Sequence, residues 1–140
     1  MNIYVVDASV AAKWFFEETH TQSALGLLDS QNRLHAPDFF LLELYNLLCK
    51  RIRRGEISQS EAREVRTALE QFPIQYHPFS ALLDPAYEIA NHTGRSLYDC
   101  LYVALATLLR GKMATADRKL YDALKPGPFA EQMLWIEDVQ

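Results

Sequence analysis

Five short runs rich in apolar residues punctuate the chain: NIYVV from Asn2, RLHA ahead of Pro37, IQYH from Ile74, KMAT from Lys112 and MLWIE from Met133. Helical signals fill the gaps between them. This alternation constrains the fold more than any other feature, because strand, helix and strand in succession build a parallel sheet covered on both faces. NIYVV suits such a sheet, since its apolar, β-branched residues read as a strand buried on both sides. No linker, repeat or low-complexity stretch interrupts the pattern. Residues 1–140 are therefore expected to form one α/β domain, a normal size for a single core.

The helices carry their own punctuation. One is expected from Ala8 to Phe16 and another from about Thr21 to Ser30. Asp38 is placed to cap a long helix running to Arg54, where Gly55 stops it. Ser58 to Glu61 spells a capping box that opens a helix to about Phe72. Ser80 to His92 reads as helical, with Pro85 an irregularity near its start and Gly94 its stop. Ser96 to Asp99 is a second capping-box match, opening LYDCLYVALATLL. A short helix from Arg118 to Leu124 follows the fourth strand, and KPGPF is a loop.

Composition narrows the class. Hydrophobic residues make up 49% and charged residues 23%, which argues against disorder. No apolar run approaches the ~18 residues of a membrane span, and MNIYVVDASV does not read as a signal peptide. A cytoplasmic protein is expected. Cys49 and Cys100 lie in apolar helical patterns and are expected to be buried free thiols. No C-x-x-C pair occurs and the four histidines lack ligand spacing, which argues against zinc. The net charge of −4 excludes a broadly basic nucleic-acid coat. Positive charge is local, in Lys50, Arg51, Arg53 and Arg54 and again in Arg118 and Lys119. A solvated helix end whose cations suit the dipole accounts for the first group equally well.

Four acids stand at telling places. Asp7 follows the first strand and Asp117 the fourth; Glu43 lies early in the helix leaving the second; Asp99 lies in the first turn of the helix preceding the fourth. Parallel sheets form sites beyond the carboxyl ends of their strands, so all four reach one rim. Asp7, Asp99 and Asp117 are each also explained as helix caps or first-turn acids. Glu43 is not, because FFLLELYNLLC surrounds it with apolar residues, where a charge is costly unless paired or bound to metal. Asn46 and Lys50 share its helical stripe.

Converging carboxylates repel, so they take up protons or gather cations. An all-oxygen donor set suits Mg²⁺ or Mn²⁺. Such ions activate water and stabilise a leaving oxygen in attack on a phosphate, and Lys50 and Arg118 are candidates to hold a nucleic-acid backbone. Ser9 and Thr115, each two residues from an acid, orient a carboxylate or bond the local backbone. A Ser-His-Asp arrangement and a glycine-rich phosphate loop are both missing.

These residues resemble a known family. VVDASVAAKW, APDFFLLELYNLLCKRIRRGEIS, RSLYDCLYVALA and MATADRKL, in that order, are similar to the four blocks of PIN-domain ribonucleases, specifically VapC-like toxins of type II toxin–antitoxin systems. The likeness covers essentially the whole chain. It implies a three-layer α/β/α sandwich on a five-stranded parallel sheet. It also implies Mg²⁺- or Mn²⁺-dependent cleavage of RNA by Asp7, Glu43, Asp99 and Asp117. A homodimer inhibited by a small VapB-like antitoxin, whose C-terminal segment lies near the acids, is implied too. Some members carry a fifth acid; here only Asp122 is available, and helical geometry turns it away. Two rivals stand beside this reading. One is a non-catalytic PIN-like binding module. The other is a phosphohydrolase or receiver domain, against which Ser9 stands where a second acid is expected and Asp7 stands alone.

Overall fold

The computed structural model describes residues 1–139. Five parallel strands form one sheet: β1 (Asn2–Val6), β2 (Asn32–Pro37), β3 (Ile74–His77), β4 (Lys112–Thr115) and β5 (Met133–Trp135), in the order β3-β2-β1-β4-β5. β1 is central. The chain winds outward through β2 and β3, then crosses back to lay down β4 and β5 on the other side. The direction of winding reverses between β1 and β4, and in such sheets a crevice opens there, beyond the carboxyl ends of the strands.

The helices are α1 (Ala8–Ala12), α2 (Thr21–Gly26), α3 (Phe39–Arg53), α4 (Gln59–Leu69), α5 (Leu83–Thr93), α6 (Leu97–Leu109) and α7 (Arg118–Leu124). α6 is the core helix. Every residue from Cys100 to Ala106 is buried, which an amphipathic surface helix would not allow. It packs on β1, β2 and β4. α3 buries a narrow stripe instead, Phe40, Leu44 and Leu48 at four-residue spacing. A satellite cluster joins Leu48 to Ile57, Ala62 and Val65 and extends the core beneath α4.

All five expected strands are present, the last ending at Trp135 because a 3₁₀ turn takes up Ile136–Asp138, and the capping box at Ser58 is present too. Ser58 Oγ accepts from the Glu61 amide at 3.0 Å, and the Glu61 carboxylate accepts from the Ser58 amide at 3.0 Å. Gly94 ends α5 at φ +73°, a left-handed conformation that glycine adopts without steric cost. A 3₁₀ turn over Phe79–Leu82 leads into α5, so Pro85 falls in a first turn, where its missing N–H costs nothing.

Several expectations need correction. α1 ends at Ala12, not Phe16, because tertiary bonds recruit the residues beyond it. The Trp14 indole donates to the Ala24 carbonyl at 2.8 Å, and Lys13 reaches Glu18 at 3.2 Å. α2 stops at Gly26 rather than Ser30. Its continuation tightens into i−3 bonds at Leu27, Leu28 and Asp29, and the Asp29 carboxylate then accepts from the Gln31 amide at 2.8 Å. Asp38 does not cap α3. Its backbone is already helical, and its carboxylate accepts from the Phe79 amide at 2.9 Å, tying the start of α3 to the turn after β3. Cys100 is buried, but Cys49 is exposed, since it lies off the narrow buried stripe of α3.

Candidate active site

Each acid reaches the crevice by a different local device. Asp7 directly follows β1 in an extended conformation and N-caps α1. Its Oδ1 accepts from the Val10 amide at 2.9 Å and from Ser9 Oγ at 2.9 Å. Both bonds fall on the same oxygen, so capping leaves Oδ2 available. The two readings of Asp7 are thus compatible. Asp117 follows β4 and caps α7 in the same way, Oδ1 accepting from the Leu120 amide at 3.1 Å. Thr115 is fully buried, and its hydroxyl accepts from the Asp117 amide at 3.0 Å, so it shapes the turn that carries the acid.

Asp99 makes half of a capping box. Ser96 Oγ accepts from the Asp99 amide at 3.1 Å. The return bond made by Glu61 at the start of α4 has no counterpart here, because aspartate is one methylene shorter. The Asp99 carboxylate is therefore left to the crevice. Glu43 projects from α3 and is held from the opposite side: the Tyr102 hydroxyl donates to its Oε1.

The electrostatics bind these groups into one site. Burial pushes the Asp7 carboxyl above its ordinary value; the Val10 and Ser9 bonds oppose this, and the charges of Asp99 and Asp117 add to it. Burial likewise raises Glu43 against the pull of Tyr102, with Asp7 and Asp99 raising it further. Asp99 is raised by burial and by Asp117, opposed by Ser96 and Arg95. Asp7 thus lies in the fields of Asp99 and Asp117, and Glu43 in those of Asp7 and Asp99. Among the described residues, no three acidic, imidazole or thiolate groups are close enough to enclose an ion directly. That spacing still fits Mg²⁺, which sheds water reluctantly and is held by one or two carboxylates through a partly hydrated shell.

Glu43 and Asn46 form a ridge between two clefts of about 390 Å³ each. One runs past Ser9 to Lys50, Arg51 and Arg54. The other is bounded by Phe39, Leu42 and Tyr98. In the first, Arg51 is already engaged: it donates to Glu18 at 2.9 Å and covers the Phe16 ring. Lys50 and Arg54 have no carboxylate partner among the described residues. Arg118 lies elsewhere, its guanidinium 3.8 Å from the centre of the Trp135 ring and 3.8 Å from Asp122. Asp122 is exposed between Arg118 and Lys125, away from the acids.

The PIN domain family model matches residues 4–125. This chain belongs to the PIN domain family. It is 34% identical to Ribonuclease VapC3 of Pyrobaculum aerophilum over 118 residues, which cover 83% of this chain and 90% of that one. Two solved structures share the fold. PAE2754 from Pyrobaculum aerophilum has a TM-score of 0.68 at 24% identity, covering 89% of this chain and 81% of the other. A toxin–antitoxin complex from Klebsiella pneumoniae has a TM-score of 0.63 at 15% identity, covering 95% and 97%. The PIN-like three-layer α/β/α architecture is thereby borne out.

Sequence reasoning missed Tyr102 and Arg95. Tyr102 lies three residues beyond Asp99 on the same face of α6, but within LYDCLYVALA it reads as core, and its contact with Glu43 is made only across the fold.

Proposed function

We propose that this PIN-domain protein is an endoribonuclease, the toxin of a toxin–antitoxin pair, and that Mg²⁺ or Mn²⁺ held by Asp7, Glu43, Asp99 and Asp117 serves its reaction. The observation that carries the reading is the mutual proximity of these carboxylates beyond the strand ends: Asp7 lies in the field of Asp99 and Asp117, Glu43 in that of Asp7 and Asp99, and Asp99 in that of Asp117. Similarity to a VapC ribonuclease along 90% of that protein's length supports RNA as substrate.

Asp7, Glu43, Asp99 and Asp117 would hold the divalent cation, which would supply activation of water and charge stabilisation for hydrolysis of the phosphodiester. The chain does the rest. Ser9 and the Val10 amide hold Oδ1 of Asp7 so that Oδ2 faces the reacting centre. Thr115 sets the turn that presents Asp117. Lys50, in the cleft beside Glu43 and Asn46, holds a backbone phosphate of the RNA. Arg118 is committed to Trp135 and Asp122, so a phosphate contact there requires its side chain to swing away.

Two partners belong to this reading. A VapB-like antitoxin is supported by the likeness to a toxin–antitoxin complex, its C-terminal segment lying near the acids. A homodimer is supported by apolar side chains left at the surface, Leu42 and Tyr45 on α3 with Tyr98 beside them. No helix among the described residues is long and apolar enough to cross a membrane.

Expression without the antitoxin tests the proposal. Growth should arrest, newly cut RNA ends should accumulate at defined positions, and Asp99→Asn should relieve both while remaining folded. Arrest that persists in the Asp99→Asn variant would remove Asp99 from the essential set. Arrest without RNA cleavage would sink the nuclease reading.

A further inference from the structure

The least expected contact at the site is the one between Tyr102 and Glu43. Tyr102 is 1% exposed, lies mid-way along the buried helix α6, and packs its ring against Phe39 at a centroid distance of 5.9 Å. Its hydroxyl donates to Glu43 Oε1. A phenol buried this deeply is costly unless its O–H finds an acceptor, and among the described residues Glu43 is the acceptor it has.

We propose that Tyr102 is a positioning residue for the divalent-cation site, its hydroxyl clamping one oxygen of Glu43 so that the other is presented to the cation. This inference rests on the reading of Glu43 as a cation ligand. Glu43 needs such a clamp. It sits on a partly exposed helix face with freely rotating side-chain bonds, and ordering a long glutamate side chain costs rotamer freedom. Tyr102 is held by the core and has little freedom left to lose. It also stands one turn from Asp99 on the same rigid helix. A single buried element therefore sets the separation between two acids, one from α6 itself and one from α3. Groups behind a metal ligand that fix its orientation work in this way, and losing them typically weakens metal affinity by about 10–100-fold.

A purely structural tyrosine would behave differently. Its loss would lower stability without touching cation affinity. Mn²⁺ binding, read from the electron paramagnetic resonance signal of the free ion, separates the two with no RNA present. Wild type, Tyr102→Phe, Glu43→Gln and the double variant are titrated side by side, with thermal melting of each metal-free protein as a control for folding. The expected result is an affinity at least about tenfold weaker in Tyr102→Phe. In the Glu43→Gln background the same change should make less than a twofold difference, because the clamped carboxylate is already gone. Replacing Tyr102 with 4-aminophenylalanine, which restores an N–H donor at the same place, should recover most of the affinity. This second variant also guards against a phenylalanine variant that fails to fold.

Equal affinity in wild type and Tyr102→Phe would overturn the proposal, as would equal losses in both backgrounds or a restored donor without restored affinity. The failure of the underlying reading looks different: wild type itself would bind no Mn²⁺, and both would fall together.

Discussion

The carboxylates that make this site also strain it when no cation is present. Asp7, Glu43 and Asp99 have folded-state values raised mainly by burial, so the folded chain holds protons that the unfolded chain has released. Stability then falls as pH rises through the raised values and recovers as pH drops back towards the ordinary carboxylate range. Glu18 has the opposite sign. Although burial opposes it, the bonds from Arg51 and Lys13 hold its carboxyl below the ordinary value, and its contribution is lost on acidification. The metal-free protein is therefore predicted to melt higher at mildly acidic pH, just above the ordinary carboxylate range, than at neutral pH, and millimolar Mn²⁺ should narrow or reverse that difference; calorimetric scans across this range check it. Asp7→Asn is predicted to raise the melting temperature of the metal-free protein at pH 8, by roughly 1 kcal/mol of stability, the common scale of a single substitution. A variant less stable than wild type under those conditions would mean that the repulsion is already relieved within the protein.

Among the elements, the strands were legible because each carries a short apolar stretch set between helical signals, most plainly the buried Tyr4–Val6 of β1. Helix ends were less so. Nothing local says that Trp14 gives its indole N–H to Ala24, or that Asp38 serves the Phe79 amide rather than its own helix, and both depend on contacts made only once the sheet has formed. The Ser58–Glu61 capping box was legible because its reciprocal bonds are local. Ser58→Ala should cost about 1 kcal/mol in chemical denaturation. Glu18→Ala should cost about 1–3 kcal/mol, because it leaves Lys13, 9% exposed, without its acceptor and frees Arg51 from the joint between α1 and α3. If Glu18→Ala proves neutral, that joint is held by Phe16 packing instead.

At the scale of the whole molecule, a strand order that reverses beside β1 brings acids from residues 7, 43, 99 and 117 near one another beyond the strand ends. The positions of Asp7 and Asp117 at strand ends made this convergence readable in advance. Glu43 was readable as a misfit in an apolar helix. Its partner was not: Tyr102 in LYDCLYVALA looks like core, and only the packing of α6 against α3 reveals that its hydroxyl meets an acid. The spacing of the acids was equally hidden, since a pattern along the chain says which groups meet but not how closely. The most direct measurement is cleavage of a defined RNA by the purified, metal-stripped protein, with and without Mg²⁺ or Mn²⁺, beside Asp7→Asn. The account predicts cleavage that appears only with the cation and falls at least about a hundredfold in the variant; cleavage that continues without the cation, or that survives undiminished in Asp7→Asn, would contradict it.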